Sequence, residues 1–321
     1  MNIEGREKIV SLRGRILRYS SSLALLIVFT FACLAGLGRT SGLQQRLQQT
    51  MYRAVSGQRG AAVAIDVVSG RVLASVNLNG AAKRLVRPGS TVKPFTLLAL
   101  LTSGAVAPKT LVACHRKLEI SGHKLDCGHP TAVGPLDAVS ALAYSCNDYF
   151  TSMAVRLRPG DLREAFLRAG LGSASGLNKH EAVGHVELCT TREQLQLQAI
   201  GEENIRTTPL AVLNAFRQLA LRRRMGNNDA IEQVVYRGLE AATEYGMARL
   251  AQPPGRVKVA GKTGTSVADE GRWTHGWFVG FAPAERPEIA LVVFLEHGTG
   301  PSNAAPIARE IFSAYAAQVR P

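Results

Sequence analysis

Ser90-Thr91-Val92-Lys93-Pro94-Phe95-Thr96-Leu97-Leu98-Ala99-Leu100-Leu101 decides how this chain folds, because it sets a serine and a lysine three residues apart at the mouth of an apolar helix. Pro88-Gly89 break whatever precedes, and Phe95, Leu97, Leu98, Leu100 and Leu101 predict a buried helix that closes near Gly104. Pro94 sets the register, since a proline is tolerated only where its missing N–H would have had no intrahelical partner; the helix therefore starts close to Ser90. Lys93 then lies on the same face of the first turn, within reach of the serine hydroxyl. Burial lets such a lysine lose its charge from a reference pKa of about 10.4 and take the serine's proton. The exposed N–H groups of the turn favour developing negative charge.

Two further strings follow in order, Ser145-Cys146-Asn147 and Lys262-Thr263-Gly264-Thr265. With the first they supply a nucleophile with a lysine one turn away, a second hydroxyl with an amide, and a cationic strand edge. Those are the parts of a lysine-assisted acyl-transfer site. Spacing alone does not select them, because Ser121-Gly122-His123-Lys124 and Ser75-Val76-Asn77 fit the same patterns. Ser121 lies in a loop-like stretch among Gly122, His123, Asp126 and Gly128, and Ser75 lies in an alternating strand. Val257, Val259, Lys262 and Thr265 belong to an extended run that sends Lys262 to one face and Thr263 and Thr265 to the other. Gly264 lets another backbone approach closely. A peptide adding to this edge as a strand would have its carboxylate held by Thr263 and Thr265, with Lys262 supplying charge. Thr265 N–H and Ser90 N–H are the expected oxyanion-hole pair. Taken singly, the strings have plainer readings: Ser145 or Asn147 as helix caps, and Lys262 to Gly264 as a solvated turn.

With these motifs in place the chain resembles the penicillin-binding proteins, serine acyltransferases of bacterial wall synthesis that share a fold with serine β-lactamases. The resemblance covers roughly residues 58 to 321. Ala61 to Asp66 with Ser69 to Ala74 is similar to the family's opening hairpin, and Gln198-Ala199-Ile200-Gly201-Glu202 followed by Thr208-Pro209-Leu210 to a helix entry of the transpeptidases. His275 to Pro283 and Ala304 to Ala308 match the closing strands and C-terminal helix. It implies that Ser90 is acylated, that Lys93 is its base, that Ser145 relays a proton, and that Asn147 orients the donor's amide. Trp277, Phe278, His275, Asp66 and Glu202 are read as structural.

The element order, an opening hairpin, a helical middle with the first two motifs, the Lys262 strand, two more strands and a terminal helix, gives an α+β fold. An antiparallel sheet is flanked by helices and a helical subdomain, with the site in the cleft between sheet edge and helices.

Ser20 to Gly38 is 19 residues without a charge, enough to span a bilayer core. Arg13, Arg15 and Arg18 crowd its N-terminal side, which places the N-terminus in the cytoplasm. The expected plan is a basic tail at 1–19, a single-pass anchor at 20–38 in the bacterial inner membrane, a short stalk at 39–57, and a periplasmic or extracellular domain at 58–321. A cleavable signal peptide is the competing reading of the same stretch. Most large members of the family carry a glycosyltransferase domain or a pedestal; the expectation here is an isolated transpeptidase module on an anchor. Net charge is +14, of which residues 1–18, with five basic and two acidic side chains, leave +11 for the rest. Such a surface suits anionic wall polymers or lipid headgroups, and no motif points to nucleic acid.

Cys33 lies in the apolar segment, and Cys146, inside the second motif, reads as a small hydrophobe. Cys114 and Cys127 flank a loop where an oxidising compartment favours a disulfide, and several transpeptidases have a similar pair. Zinc held by Cys114, His115, His123, Cys127 and His129, all within 16 residues, ranks second. Cys189 is left unpaired. No metal or cofactor enters the leading reading.

That reading is a DD-transpeptidase. Ser90 attacks the penultimate D-alanine carbonyl of a peptidoglycan stem peptide, D-alanine leaves, and the acyl group passes to an amine of a neighbouring stem. β-Lactams acylate Ser90 as substrate mimics, and a glycan polymerase or other wall-synthesis protein is the expected partner. A DD-carboxypeptidase, and from another class a non-catalytic β-lactam sensor or scaffold, stand beside it. A β-lactamase ranks lower, since no ExxLN-like string lies between Asn147 and Lys262.

Overall fold

Ile289-Ala290-Leu291-Val292-Val293-Phe294-Leu295 is buried along its whole length, and an apolar run of that kind belongs in the middle of a sheet covered on both faces. The computed structural model describes residues 42–226, 229–269 and 271–318. The chain divides into two units, Met1–Arg46 and Leu47–Pro321. Among the described residues no helix is long and apolar enough to cross a membrane. The expected anchor at 20–38 and the tail at 1–19 lie outside the described residues. The described part of the expected stalk is helical over 42–55 (α1).

A hairpin of β1 (Gly60–Asp66) and β2 (Val72–Val76) opens the sheet. Its turn is tied by Asp66 Oδ1, which accepts from Ser69 N–H and Oγ–H at 2.7 Å each. Gln48 of α1 bonds both main-chain groups of Ser75, closing the β2 edge. Asn77 caps α2 (Leu78–Lys83), so Ser75-Val76-Asn77 is spent on structure.

A 3₁₀ turn, Gly89–Val92, leads into α3 (Lys93–Thr102), with Pro94 in its first turn. The α-helix proper begins at Lys93 and leaves Ser90 in the tighter turn before it. Strands β3 (Glu119–Ile120) and β4 (His123–Lys124) form a two-strand hairpin whose turn holds Ser121 at φ 50°. The helical region continues with α4 (Ala138–Ala143), α5 (Asn147–Ala154) and α6 (Asp161–Arg168). Next come β5 (His185–Val186), α7 (Arg192–Ala199), β6 (Ile205–Arg206), α8 (Pro209–Arg224) and α9 (Ala230–Glu244).

The chain then returns as β7 (Ala260–Val267), β8 (Thr274–Ala282), β9 (Ile289–Leu295) and α10 (Ala305–Ala316). The sheet order is β2-β1-β9-β8-β7 with every neighbour antiparallel, so β7 is an edge. Trp277, Val279 and Phe281 of β8 join the main core with α8, while Phe278 on the other face meets Phe312 of α10 at 6.1 Å between ring centres. α9 packs along β7 and joins the helical region to that edge. The α+β architecture, the opening hairpin, the Lys262 strand and the closing strands and helix are those expected from the sequence.

Candidate active site

The Ser90 turn is clamped on two sides by glycines. Gly89, at φ 53°, donates its N–H to Gly201 O at 3.0 Å, and a methyl on Gly201 would lie 2.3 Å from Gly89 O. A methyl on Gly89 would meet Thr265 O at 2.7 Å. The connection from α7 to α8 thus presses the turn against β7, which puts half-buried Ser90 at the sheet edge. A strand residue's N–H and C=O point to the same side, so Thr265 N–H faces the same gap as its carbonyl. The closeness that Gly264 permits goes to this turn: a Cβ there would lie 2.8 Å from Thr91 Cγ2 and 3.1 Å from Pro88 O.

Lys93 is fully buried, and its ammonium meets the loop between α4 and α5. Its Nζ donates to Asn147 Oδ1 at 2.6 Å, to Ser145 O at 2.7 Å and to Ser145 Oγ at 3.2 Å. Phe150, one turn into α5, presents its ring 5.3 Å from the same nitrogen. Burial pulls the Lys93 pKa down to about 8, against a smaller opposing pull from the nearby Cys146, Cys127 and Glu202. Sequence spacing pairs Lys93 with Ser90 on one turn; the hydrogen bonds add Ser145 and Asn147 as its partners.

Ser145 sits at φ 54°, a left-handed conformation uncommon for a residue other than glycine, asparagine or aspartate. Its hydroxyl also accepts from Lys262 Nζ at 2.8 Å, and Lys262 Nζ donates to Thr263 O at 2.8 Å. Lys262 is fully buried; burial first and the neighbouring Lys93 second hold its pKa well below the usual lysine range. Asn147 is the first residue of α5, its Nδ2 donating to Leu125 O at 2.9 Å. The cap of α5 is Cys146, whose Sγ accepts from Tyr149 N–H. The structure therefore gathers Lys93, Ser145, Asn147 and Lys262 into one hydrogen-bonded group, with Ser90 on the adjoining turn. Thr263 Oγ1 lies 3.5 Å from Met247 O, and Thr265 Oγ1 accepts from Gly300 N–H at 3.1 Å.

Three contributors had no local signature. The Leu125 carbonyl and the Phe150 ring arrive through packing. Glu202, read from sequence as structural, is buried near the group with burial pushing its carboxyl up to about 7.

The cysteines are arranged differently from the expectation. Cys114 and Cys127 carry free thiols, as do the other described cysteines, and the near sulfur contact is Cys127 to Cys146 at 3.7 Å. Of the five residues grouped as zinc ligands from sequence, His115 faces Asp148 at 3.0 Å and His123 faces Glu203 at 3.4 Å. The remaining three, Cys114, Cys127 and His129, converge with Cys146, their ligand atoms within 4.8 Å of one another.

Residues 60–313 match the penicillin binding protein transpeptidase domain family. The peptidoglycan D,D-transpeptidase MrdA of Acinetobacter baumannii is 25% identical, over 84% of this chain and 52% of its own length. PbpA of Mycobacterium tuberculosis, also a peptidoglycan D,D-transpeptidase, is 28% identical over 75% of this chain and 57% of its own. The chain spans about half the length of the curated relatives it matches. Among solved structures, PBP2 of Pseudomonas aeruginosa in complex with WCK 5153 superposes with a TM-score of 0.74 at 26% identity, covering 84% of this chain and 76% of that one. The transpeptidase domain of Burkholderia pseudomallei penicillin-binding protein 3 has the same fold, with a TM-score of 0.75 at 24% identity over 86% of this chain and 93% of its own.

Proposed function

The chain belongs to the penicillin-binding protein transpeptidase family, and on that premise we propose that residues 58–321 are a serine DD-transpeptidase domain acting on peptidoglycan stem peptides. The observation that carries the reading is Ser145 Oγ, which lies within hydrogen-bond distance of both Lys262 Nζ and Lys93 Nζ while Ser90 waits on the adjoining turn. In this mechanism the donor stem adds along β7, where Thr263 and Thr265 hold its terminal carboxylate. Asn147 orients its amide. Ser90 Oγ attacks the penultimate D-alanine carbonyl and its proton passes to neutral Lys93. The carbonyl oxygen takes the negative charge between the N–H groups of Ser90 and Thr265.

Collapse breaks the C–N bond. The departing D-alanine nitrogen takes the Ser145 hydroxyl proton, which Lys93 restores, and an acyl-Ser90 ester remains. An amine from a second stem then attacks the ester and Ser90 leaves with a proton. A neutral Lys93 keeps its two short bonds, to Asn147 Oδ1 and Ser145 O, with its two N–H groups, which leaves its lone pair for the Ser90 proton. β-Lactams acylate Ser90 by the same attack.

Residues 20–38 are proposed as the anchor, with the domain on the outer side of the inner membrane; a net +11 beyond residue 18 suits anionic wall polymers there. A glycan polymerase or another wall-synthesis protein is the proposed partner.

The test supplies the full chain in detergent with a stem pentapeptide and an amine acceptor, and follows D-alanine release and cross-linked product. Both are expected from the wild type and neither from Ser90→Ala. D-alanine release with only hydrolysed peptide would replace the transpeptidase by a carboxypeptidase, and no release would overturn the reading.

A further inference from the structure

Cys114, Cys127, His129 and Cys146 come from the loop before β3, the loop after β4 and the cap of α5, yet their three sulfurs and one imidazole nitrogen lie within 4.8 Å of one another. Nothing in the acyl-transfer chemistry uses them. We propose that these four side chains bind one zinc ion in a tetrahedral Cys₃His site directly behind the Ser145-Cys146-Asn147 motif.

Four features point to a metal rather than to packed thiols. Two thiolates each about 2.3 Å from a tetrahedral zinc stand about 3.8 Å apart, and Cys127 Sγ and Cys146 Sγ are 3.7 Å apart. A disulfide needs about 2.05 Å.

The second feature is His129. Only 2% exposed, it has an Nε2 with no hydrogen-bond partner. A buried nitrogen left unpaired forfeits its hydration with nothing in return.

Third, its other nitrogen is arranged as in a metal-bound histidine. Nδ1 lies 3.2 Å from the Pro130 carbonyl, which places the ring proton there and leaves a lone pair on Nε2. Arg116 Nη1 is 3.5 Å from the same Nδ1, but donates at 2.7 Å and 3.1 Å to the carbonyls of His129 and Pro130.

Fourth, each sulfur accepts a backbone N–H: Cys114 from Arg116 at 3.3 Å, Cys127 from Asp148 at 3.4 Å and Cys146 from Tyr149 at 3.4 Å. Donors of this kind stabilise thiolate ligands and hold them in place.

On binding, each thiol gives its proton to solvent as its sulfur bonds the ion, and His129 Nε2 contributes its lone pair. The site then carries one net negative charge. The ion ties the segments of Cys114 and Cys127–His129 to Cys146, the residue between the left-handed Ser145 and Asn147. These four are positioning residues for the second motif, and the site is independent of the acyl-transfer reading.

The test is metal analysis of the full chain, purified in detergent under reducing conditions, stripped and then offered zinc alone or cobalt(II) alone. About one zinc per chain is expected, with a zinc-dependent rise in melting temperature. Cobalt should give thiolate charge-transfer absorption and the intense visible bands of tetrahedral coordination. Cys114→Ser, at the most exposed of the four positions, should lower zinc affinity roughly tenfold or more. The wild-type measurement stands by itself if that variant does not fold. Zinc only at background, cobalt bands of an octahedral oxygen site, or a native disulfide among Cys114, Cys127 and Cys146 in alkylated mass maps would each overturn the proposal.

Discussion

Lys262 Nζ, on the edge strand of the sheet, donates to Ser145 Oγ at 2.8 Å across the cleft from the helical region. Lys93 Nζ approaches the same hydroxyl at 3.2 Å. Burial holds both lysines below their usual range, and the neighbouring Lys93 charge lowers Lys262 further. With its pKa at about 8, Lys93 has a neutral fraction near physiological pH.

The first consequence is a pH profile. Lys93, held at about 8, is the base only when neutral. The rate constant for β-lactam acylation should rise about tenfold per pH unit below that value and level off above it. A rate that is flat or falls between about pH 6 and pH 9 would contradict the assignment of Lys93 as base.

Asn147 offers a way to move that profile. Its Oδ1 accepts from Lys93 at 2.6 Å. Asn147→Asp puts a carboxylate there, favours the charged lysine and should shift the midpoint to higher pH, with slower acylation at pH 7. Stopped-flow acylation across pH checks it, and an unmoved midpoint would show that Lys93 is not the titrating group.

Glu202 bears on stability. Burial pushes its carboxyl from an ordinary 4.5 up to about 7, so the folded state keeps the proton longer than the unfolded chain. Its contribution is therefore fully present below about pH 4.5 and declines as pH rises toward 7. Glu202→Gln lacks this decline, and its stability relative to wild type should improve by about 3 kcal/mol between about pH 4 and pH 8, at 1.36 kcal/mol per unit. Urea unfolding at the two pH values measures the change. A pH-independent difference would rule it out.

Gly201 tests how the nucleophile turn is held. Gly201→Ala places a methyl 2.3 Å from Gly89 O at φ 78° and should both destabilise the fold and slow acylation at Ser90. Gly255→Ala adds a methyl at φ 94° with open space around it; it should cost only the backbone term of about 1–2 kcal/mol. Its acylation rate should match the wild type. Equal acylation by the two variants would remove the clamp from the account.

Much of the site was legible because it is written at short range. Pro94 and the leucines behind it announce the helix whose entrance carries Ser90 and Lys93, and alternation along β7 announces the faces of Lys262 and Thr263. What Lys93 touches was not legible, since it depends on how α3 packs against α5 and on the left-handed backbone of Ser145. The role of Gly264 shifted for a similar reason: its free space is filled by Thr91 and Pro88, residues far away in sequence. Cys146 read as a small apolar filler, because its partners Cys114 and Cys127 reach it only after the loop between α3 and α4 folds back. His115 and His123 looked equivalent to His129 within the same loop, and only the fold separates the one with an unpartnered buried nitrogen from the two that face carboxylates.

The most direct test of the central claim, that Ser90 is the acylated nucleophile, is labelling of the full chain with a fluorescent penicillin followed by peptide mapping. A long-lived adduct on Ser90, absent from Ser90→Ala, is the expected result. An unlabelled wild type, or a label that persists in Ser90→Ala, would contradict it.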